Sequence, residues 1–172
     1  MASIYYIDGY NILHRSRSLR ESARADLENA REALIDRVAQ FCVATGHVAN
    51  LVFDGQRSHR AEKVAHHRNV AGLHVVYTPS DLTADSYIER HVYNHKDRLQ
   101  VAVVSNDRSL RDLCRNLGAL TMDADNFLDT VTESRQDMST VMERSNRVKI
   151  EHLEDRLDGD SLQKLMELRK KL

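Results

Sequence analysis

Five short apolar runs, separated by segments with helical spacing, constrain the fold of this chain more than any other feature of its sequence. The runs have the length and the β-branched composition of strands; they lie at residues 4–7, 48–53, 73–77, 101–105 and 120–122. Between them the pattern predicts a brief helix within residues 12–20 and further helices over residues 23–45, 83–95, 109–117 and 125–131. Strands that alternate with helices through short connections predict a mostly parallel sheet with helices on both faces. We therefore expect an α/β fold.

The chain of 172 residues is long enough for one ordinary domain. We place that domain at residues 1–133, because no strand-like run follows it. Residues 134–172 are rich in charge, and their apolar residues recur at helical spacing interrupted by Asp158-Gly159. This C-terminal extension is expected to form helices that pack on the domain or on a second copy of the chain, giving a homodimer, or that bind a partner.

Composition excludes several classes of protein. Hydrophobic residues make up 41% and charged residues 30%, which is typical of a globular chain. No apolar run reaches the roughly 18 residues of a membrane span, and the N-terminus resembles no signal peptide, so we expect a cytoplasmic protein. Cys42 and Cys114 lack metal-ligand spacing and are predicted to be buried free thiols. A net charge of −1 means that an anionic ligand would need a local basic patch.

Acidic side chains follow the predicted strands. Asp8, Asp54 and Asp107 come at strand ends, while Asp85 opens the helix after the third strand, with Glu89 four residues later on the same helix face. These positions meet at one edge of a parallel sheet. Two carboxylates about 4 Å apart repel by roughly 4 kcal/mol at an effective dielectric constant of 20, so a group of them favours a hard cation such as Mg²⁺ or Mn²⁺.

Each of these acids also has a purely structural interpretation. Asp8 and Asp54 each precede a glycine and could be ordinary turn residues. Asp85 could stabilise the positive end of a helix dipole, and Asp107 could be a helix N-cap. Glu89 could be a solvated helix residue.

Four segments of the sequence resemble the YacP-like NYN domains of bacteria, which belong to the PIN-like nuclease superfamily. They are I-D-G-Y-N-I at 7–12, V-F-D-G at 52–55, Y-T-P-S-D-L-T-A-D-S-Y-I-E-R at 77–90 and V-V-S-N-D at 103–107. The resemblance covers about residues 3–130 and implies a three-layer α/β/α sandwich with a five-stranded sheet in the order 3-2-1-4-5. It further implies a divalent-metal-dependent endoribonuclease, with ribosome-bound mRNA as one candidate substrate.

The resemblance also implies the roles of individual residues. It places the metal-binding acids at Asp8, Asp85 and Asp107, accompanied by Asn11 and Asp54. The expected mechanism is hydrolysis of an RNA phosphodiester by in-line attack of water, aided by one or two Mg²⁺ or Mn²⁺ ions. Asn11 would contact a water or a phosphate oxygen, while Asp54 and Glu89 are weaker candidates that act through water.

Basic and polar residues supply candidate contacts to the RNA backbone. They are Arg15, Arg17, Arg57, Arg60, Lys63, Arg68 and Asn106. Four of them lie in residues 56–69, which we interpret as a loop with a helical turn or two. This segment could equally be a solvated surface loop that makes no contact with RNA. Asn106 departs from the family, in which serine or threonine commonly precedes the aspartate, and could reorient Asp107 or contact phosphate.

Three other functions fit parts of the pattern. A non-catalytic RNA-binding or ribosome-binding module would keep the acids without cleaving. A receiver-like signalling domain would also have a strand-end aspartate, but it needs a lysine after the last core strand, and no lysine lies between Asp107 and Lys149. Catalysis by histidine needs a matched acid–base pair, and the adjacent His66 and His67 would point apart.

Overall fold

In the computed structural model, residues 3–55 and 66–154 are described, with side chains at 3–55 and 69–141. Six strands in these residues form one sheet: β1 Ile4–Asp8, β2 Val48–Phe53, β3 His66–Val70, β4 Leu73–Tyr77, β5 Val101–Val104 and β6 Leu120–Met122. Their order is β3-β4-β2-β1-β5-β6, and every pair is parallel except β3 with β4. The α/β fold and the relative order of the five predicted strands are confirmed, but the predicted count of five was wrong, because β3 adds a sixth strand at the edge.

The helices of the described residues connect these strands. Their bounds are α1 Gly9–Arg15, α2 Arg20–Ala25, α3 Leu27–Thr45, α4 Ala84–Asn94, α5 Arg108–Asn116 and α6 Ala124–Glu154, with a 3-10 turn at Arg98–Gln100. The predicted helix over 23–45 is divided at Asp26, which caps α3 by accepting a hydrogen bond from the backbone amide of Asn29. Gly46 ends α3 in the left-handed conformation, as expected of a residue after a helix.

The prediction of a loop through residues 56–69 was wrong for its last part, because residues 66–70 form β3. This strand pairs antiparallel with β4 across a tight turn in which Ala71 and Gly72 both have positive φ. Its polar sequence, H-H-R-N-V, lacks the apolar pattern of a buried strand because it lies at the edge of the sheet. Residues 56–65 lie outside the described part.

The predicted short helix over 125–131 was also wrong, because α6 continues to Glu154. No glycine or proline lies between residues 124 and 154 to end the helix. The proposed boundary at residue 133 therefore falls within a helix. The chain divides into two compact units, Met1–Arg135 and Gln136–Leu172. The predicted break at Asp158-Gly159 lies outside the described residues.

Helices cover both faces of the sheet in the first unit. On one face, Ile7 of β1 packs with α1, α3 and the first turns of α6; on the other, Tyr6 packs with α4 and α5. Successive side chains of β1 thus enter different cores, as the pleat of a strand requires. Burial of each large apolar side chain stabilises the fold by about 1.5–3 kcal/mol.

Cys42 and Cys114 are buried and free, as predicted. In the described part of the chain, the helices are all too short or too polar to cross a membrane.

Candidate active site

A cleft of about 480 Å³ opens at the carboxyl end of the parallel strands. Its acidic wall is formed by Asp8, Asp54, Asp85 and Asp107, which end or follow β1, β2, β4 and β5 in the chain, together with Asn11 of α1. We call it the acidic cleft. Glu89 does not line it, so this weaker candidate has no direct place at the site.

Asp8 ends β1 and begins α1. One carboxylate oxygen accepts a 3.1 Å hydrogen bond from the backbone amide of Asn11, so Asp8 is the N-cap of α1. The other accepts a long 3.5 Å bond from the Ser105 hydroxyl. Burial raises the pKa of the Asp8 carboxyl from 3.8 to about 6. The charges of Asp85 and Asp107 also raise this pKa, whereas the two hydrogen bonds lower it.

Asp107 is the N-cap of α5. A single carboxylate oxygen accepts hydrogen bonds from the backbone amides of Ser109 at 2.7 Å and Leu110 at 3.2 Å. Its own backbone amide donates to the hydroxyl of the buried Ser105. The structural interpretation of Asp107 is therefore correct, and it coexists with a place in the acidic cleft, because capping uses only one of the two oxygens.

Asp85 lies in the first turn of α4, where Thr83 is the N-cap and accepts a hydrogen bond from the backbone amide of Ser86. Partial desolvation raises the pKa of the Asp85 carboxyl, and the charges of Asp107 and Asp54 raise it further. The acids of the cleft therefore destabilise one another's ionised forms. That is the electrostatic condition under which a bound cation is favourable.

Asp54 follows β2 at a point where the backbone is tightly held. The amide of Gly55 donates a 3.1 Å hydrogen bond to the Thr78 hydroxyl. A β-carbon on Gly55 would lie 1.7 Å from the Thr78 carbonyl oxygen, so this position admits only glycine without a shift of the backbone. The ends of β2 and β4 therefore approach each other closely here, and this approach fixes the position of Asp54.

Asn11 and Asn106 connect three elements around the acids. The side-chain oxygen of Asn11 accepts a 2.7 Å hydrogen bond from the backbone amide of Asn106. The side-chain oxygen of Asn106 in turn accepts a 2.8 Å bond from the amide of Ala124, the first residue of α6. These contacts position the backbone on both sides of the cleft.

The structure separates the basic residues that the sequence grouped together. Arg15 lines the acidic cleft. Arg17 does not: it pairs with Asp125 and lines a different hollow together with Asn106. Contact of these two residues with the RNA backbone stays a prediction. Arg68 lies on the edge strand β3. Arg57, Arg60 and Lys63 lie outside the described residues.

Six residues that were not predicted as site residues also line the acidic cleft: Tyr10, His14, Arg20, Arg24, Thr83 and Ala84. The basic character of residues 14–24 was visible in the sequence. Which of these side chains face the acids depends on how α1 and α2 pack, and that was not visible.

The acidic cleft suits a hydrated cation better than an all-protein cage. No three His, Cys, Asp or Glu side chains in the described residues are close enough to hold a metal ion together. The oxygen-only acidic wall nevertheless fits Mg²⁺ or Mn²⁺, because such ions commonly bind one or two carboxylates and keep several waters. Asp8, Asp85 and Asp107 are the residues whose charges such an ion would balance.

Comparison with known proteins identifies the family to which this chain is similar. The sequence profile of the YacP-like NYN domain matches residues 5–170, so the match extends about 40 residues beyond the segment noted above and includes most of the C-terminal extension. A curated relative, the uncharacterized protein YacP of Bacillus subtilis (strain 168), is 32% identical over 88 residues. That alignment spans 51% of this chain and 49% of the relative, about half of each.

Two crystal structures share the fold. Rae1 (YacP) from Bacillus subtilis is 23% identical with a TM-score of 0.69, over 97% of this chain and 94% of that one. A point mutant of the same protein is 24% identical with a TM-score of 0.67, over 83% and 82%. At this level of identity the likeness establishes the fold.

Proposed function

This chain belongs to the YacP-like NYN domain family, a group of PIN-like nuclease domains, and from that membership together with the acidic cleft we propose that it is a divalent-metal-dependent endoribonuclease. The observation that carries the proposal is the convergence of Asp8, Asp54, Asp85 and Asp107 on one cleft from four separate segments of the chain. Burial, and after it the charges of the neighbouring acids, raise the pKa of Asp8 and Asp85. A fold retains such a cost most readily where the charges have a function.

The chain's own residues would orient the reaction. Asp8 and Asp107 are each held by backbone amides through one oxygen, so their carboxylates are fixed before substrate binds. Asp85 accepts no hydrogen bond from the described residues and is free to adjust to an incoming phosphate or water. A bound Mg²⁺ or Mn²⁺ would lower the pKa of the attacking water and neutralise charge on the phosphate.

Asn11 has a positioning role besides the contact with water or phosphate that the sequence predicts. Its side-chain oxygen is occupied by the backbone amide of Asn106, so we propose that it positions the segment carrying Asp107. Its side-chain amide group is the part that could still donate to a phosphate oxygen or a water.

The test compares purified wild-type protein with Asp8→Asn and Asp107→Asn on labelled RNA, with Mn²⁺, with Mg²⁺ and with EDTA. Asparagine caps a helix about as well as aspartate, so these variants keep the fold and lose the charge. Asp26→Asn is the matched control, because Asp26 is also a helix N-cap but lies outside the acidic cleft. We expect metal-dependent cleavage by wild type and the control only; cleavage in EDTA, or undiminished cleavage by both cleft variants, would refute the mechanism.

The alternative is a non-catalytic RNA-binding module, for which the basic lining of the cleft by Arg15, Arg20 and Arg24 would serve equally well. The same experiment separates the two functions. RNA retained on a filter by a protein that cleaves under none of these conditions would establish the binding module.

The family resemblance extends the proposal to ribosome-bound mRNA as the substrate. Sedimentation of the protein with ribosomes, together with cleavage of an mRNA in a translating extract but not of the same mRNA alone, would support this extension. Equal cleavage of free and translated mRNA would exclude a requirement for the ribosome.

A further inference from the structure

The wall of the acidic cleft formed by α1 and α2 is basic. Arg15 ends α1, and Arg20 and Arg24 lie four residues apart on α2, on the same face of that helix. All three side chains are exposed. Among the described residues, none accepts a hydrogen bond from them or forms an ion pair with them.

Asp8 and Asp85 share one cleft with these arginines and form no ion pair with them. Burial, together with the charges of neighbouring acids, raises the pKa of both carboxyls. A ligand that binds both the basic and the acidic wall must present negative charge to the arginines of α2. At the acidic wall it must bind together with a cation that lies between it and the carboxylates. A nucleic-acid backbone, with a phosphate at every nucleotide, has that property.

An aromatic pair lies on the same wall. The His14 ring stacks on the Tyr10 ring, with centroids 6.1 Å apart and planes inclined by 23°. Tyr10 is held from below by an edge contact with Phe53 and by a 3.2 Å hydrogen bond from the buried Arg31 to its hydroxyl. His14 is exposed and lines the cleft, and one face of its ring is supported by Tyr10.

We propose that α1 and α2 form the binding wall for a single RNA strand, with Arg20 and Arg24 contacting two backbone phosphates and His14 stacking on an unpaired base. The bases of a duplex are already stacked inside the helix, so a protein ring can receive one only from a single strand. This inference rests on the proposed function for the identity of the ligand. It adds the strand-binding residues and the preference for unpaired RNA.

Binding is measured in EDTA, where no cleavage occurs, by fluorescence anisotropy of a labelled single-stranded oligoribonucleotide at several salt concentrations. Each phosphate contact on a single strand adds about 0.7 to the magnitude of the slope of log K against log[salt]. Arg20→Gln/Arg24→Gln should therefore lower that slope by about 1.4. Arg37→Gln/Arg90→Gln is the matched control: it removes the same charge from exposed positions outside the cleft and should leave the slope unchanged.

The stacking contact is tested with His14→Ala, which should weaken binding by about tenfold with little change in the salt slope. His95→Ala, a histidine outside the acidic cleft, is its control. A duplex of the same sequence should compete poorly with the single strand. Substitutions at exposed positions change stability little, and circular dichroism with the single variants Arg20→Gln and Arg24→Gln verifies that the fold is intact.

The outcomes separate this inference from the proposed function. If the arginine and histidine variants bind like wild type while wild type cleaves RNA, the binding wall is refuted and the nuclease stands. If wild type cleaves nothing but the variants lose binding as expected, the wall stands and the nuclease is refuted. Equal competition by the duplex would overturn the single-strand preference.

Discussion

The backbone amide of Asn106 donates a 2.7 Å hydrogen bond to the side-chain oxygen of Asn11, and this bond joins the ends of the neighbouring strands β1 and β5. Asn11 lies on the helix capped by Asp8, and Asn106 immediately precedes Asp107. The Asn11 side chain thus fixes the relative position of the two backbone segments that carry Asp8 and Asp107.

Asn11→Ala should lower both stability and activity. The substitution leaves the half-buried Asn106 amide without its acceptor, which costs about 1–3 kcal/mol of unfolding free energy, and it releases the segment that carries Asp107. We expect RNA cleavage to fall by about tenfold or more, since a small misplacement of a catalytic group is costly. Urea unfolding and single-turnover cleavage measure the two effects.

Asn29→Ala, at an exposed position on α3, is the control and should change activity little. Full cleavage activity in Asn11→Ala would show that the bond has no positioning role.

Substitutions at Asp107 should separate its two roles. Asp107→Asn keeps the cap of α5 and removes the charge, so we expect near wild-type stability with cleavage lost. Asp107→Ala removes both, and should in addition lower the unfolding free energy by about 1 kcal/mol. Asp26→Ala, which removes the cap of α3, should show the same loss of stability with activity retained. If Asp107→Asn cleaved RNA at the wild-type rate, Asp107 would be a cap alone.

The predictable parts of the fold were the buried ones. The run V-A-V-V of β5 is fully buried, as are most residues of β2, and their apolar composition identifies them without a structure. The edge strand β3 has no such pattern, because one of its sides pairs with nothing in the described sheet. The length of α6 follows from the absence of helix-breaking residues between 124 and 154, a signal that is present in the sequence.

The acids of the site were predictable because each follows a strand, and the topology of a parallel sheet brings strand ends together. The arginines of α2 were not, because α2 is a separate short helix whose direction depends on the packing of the buried Leu19 and Ala23. Arg17 and Arg20 are equally basic in the sequence, yet only Arg20 lines the acidic cleft.

Gly55→Ala should destabilise the protein and impair the site. The new β-carbon would meet the carbonyl oxygen of Thr78, which belongs to the backbone and cannot move without displacing the end of β4. Overpacking of this kind costs about 1–3 kcal/mol, and the shift would displace the adjacent Asp54. Thermal unfolding and cleavage per folded molecule are the measurements.

Gly46→Ala is the comparison for this substitution. A β-carbon there meets nothing within 4 Å, although the positive φ of 69° is unfavourable for alanine by about 1 kcal/mol. It should lower stability without changing cleavage per folded molecule. An unaltered thermal midpoint in Gly55→Ala would show that the two strand ends are not held as closely as the structure indicates.

Asp8→Asn should stabilise the metal-free protein in a pH-dependent way. The folded-state pKa of Asp8, about 6, lies above its ordinary value of 3.8, so the unfolded chain releases this proton first and the stability due to Asp8 falls as pH rises from about 4 to 6. Asparagine does not ionise and keeps the cap, so the variant should be more stable than wild type by about 3 kcal/mol at pH 7.5 in EDTA, with the difference vanishing near pH 4. Urea unfolding across this range measures the difference. A variant less stable than wild type in EDTA at pH 7.5 would contradict the electrostatic cost assigned to Asp8.

Mn²⁺ should stabilise wild type more than Asp8→Asn, because binding of the ion to the folded state adds to stability.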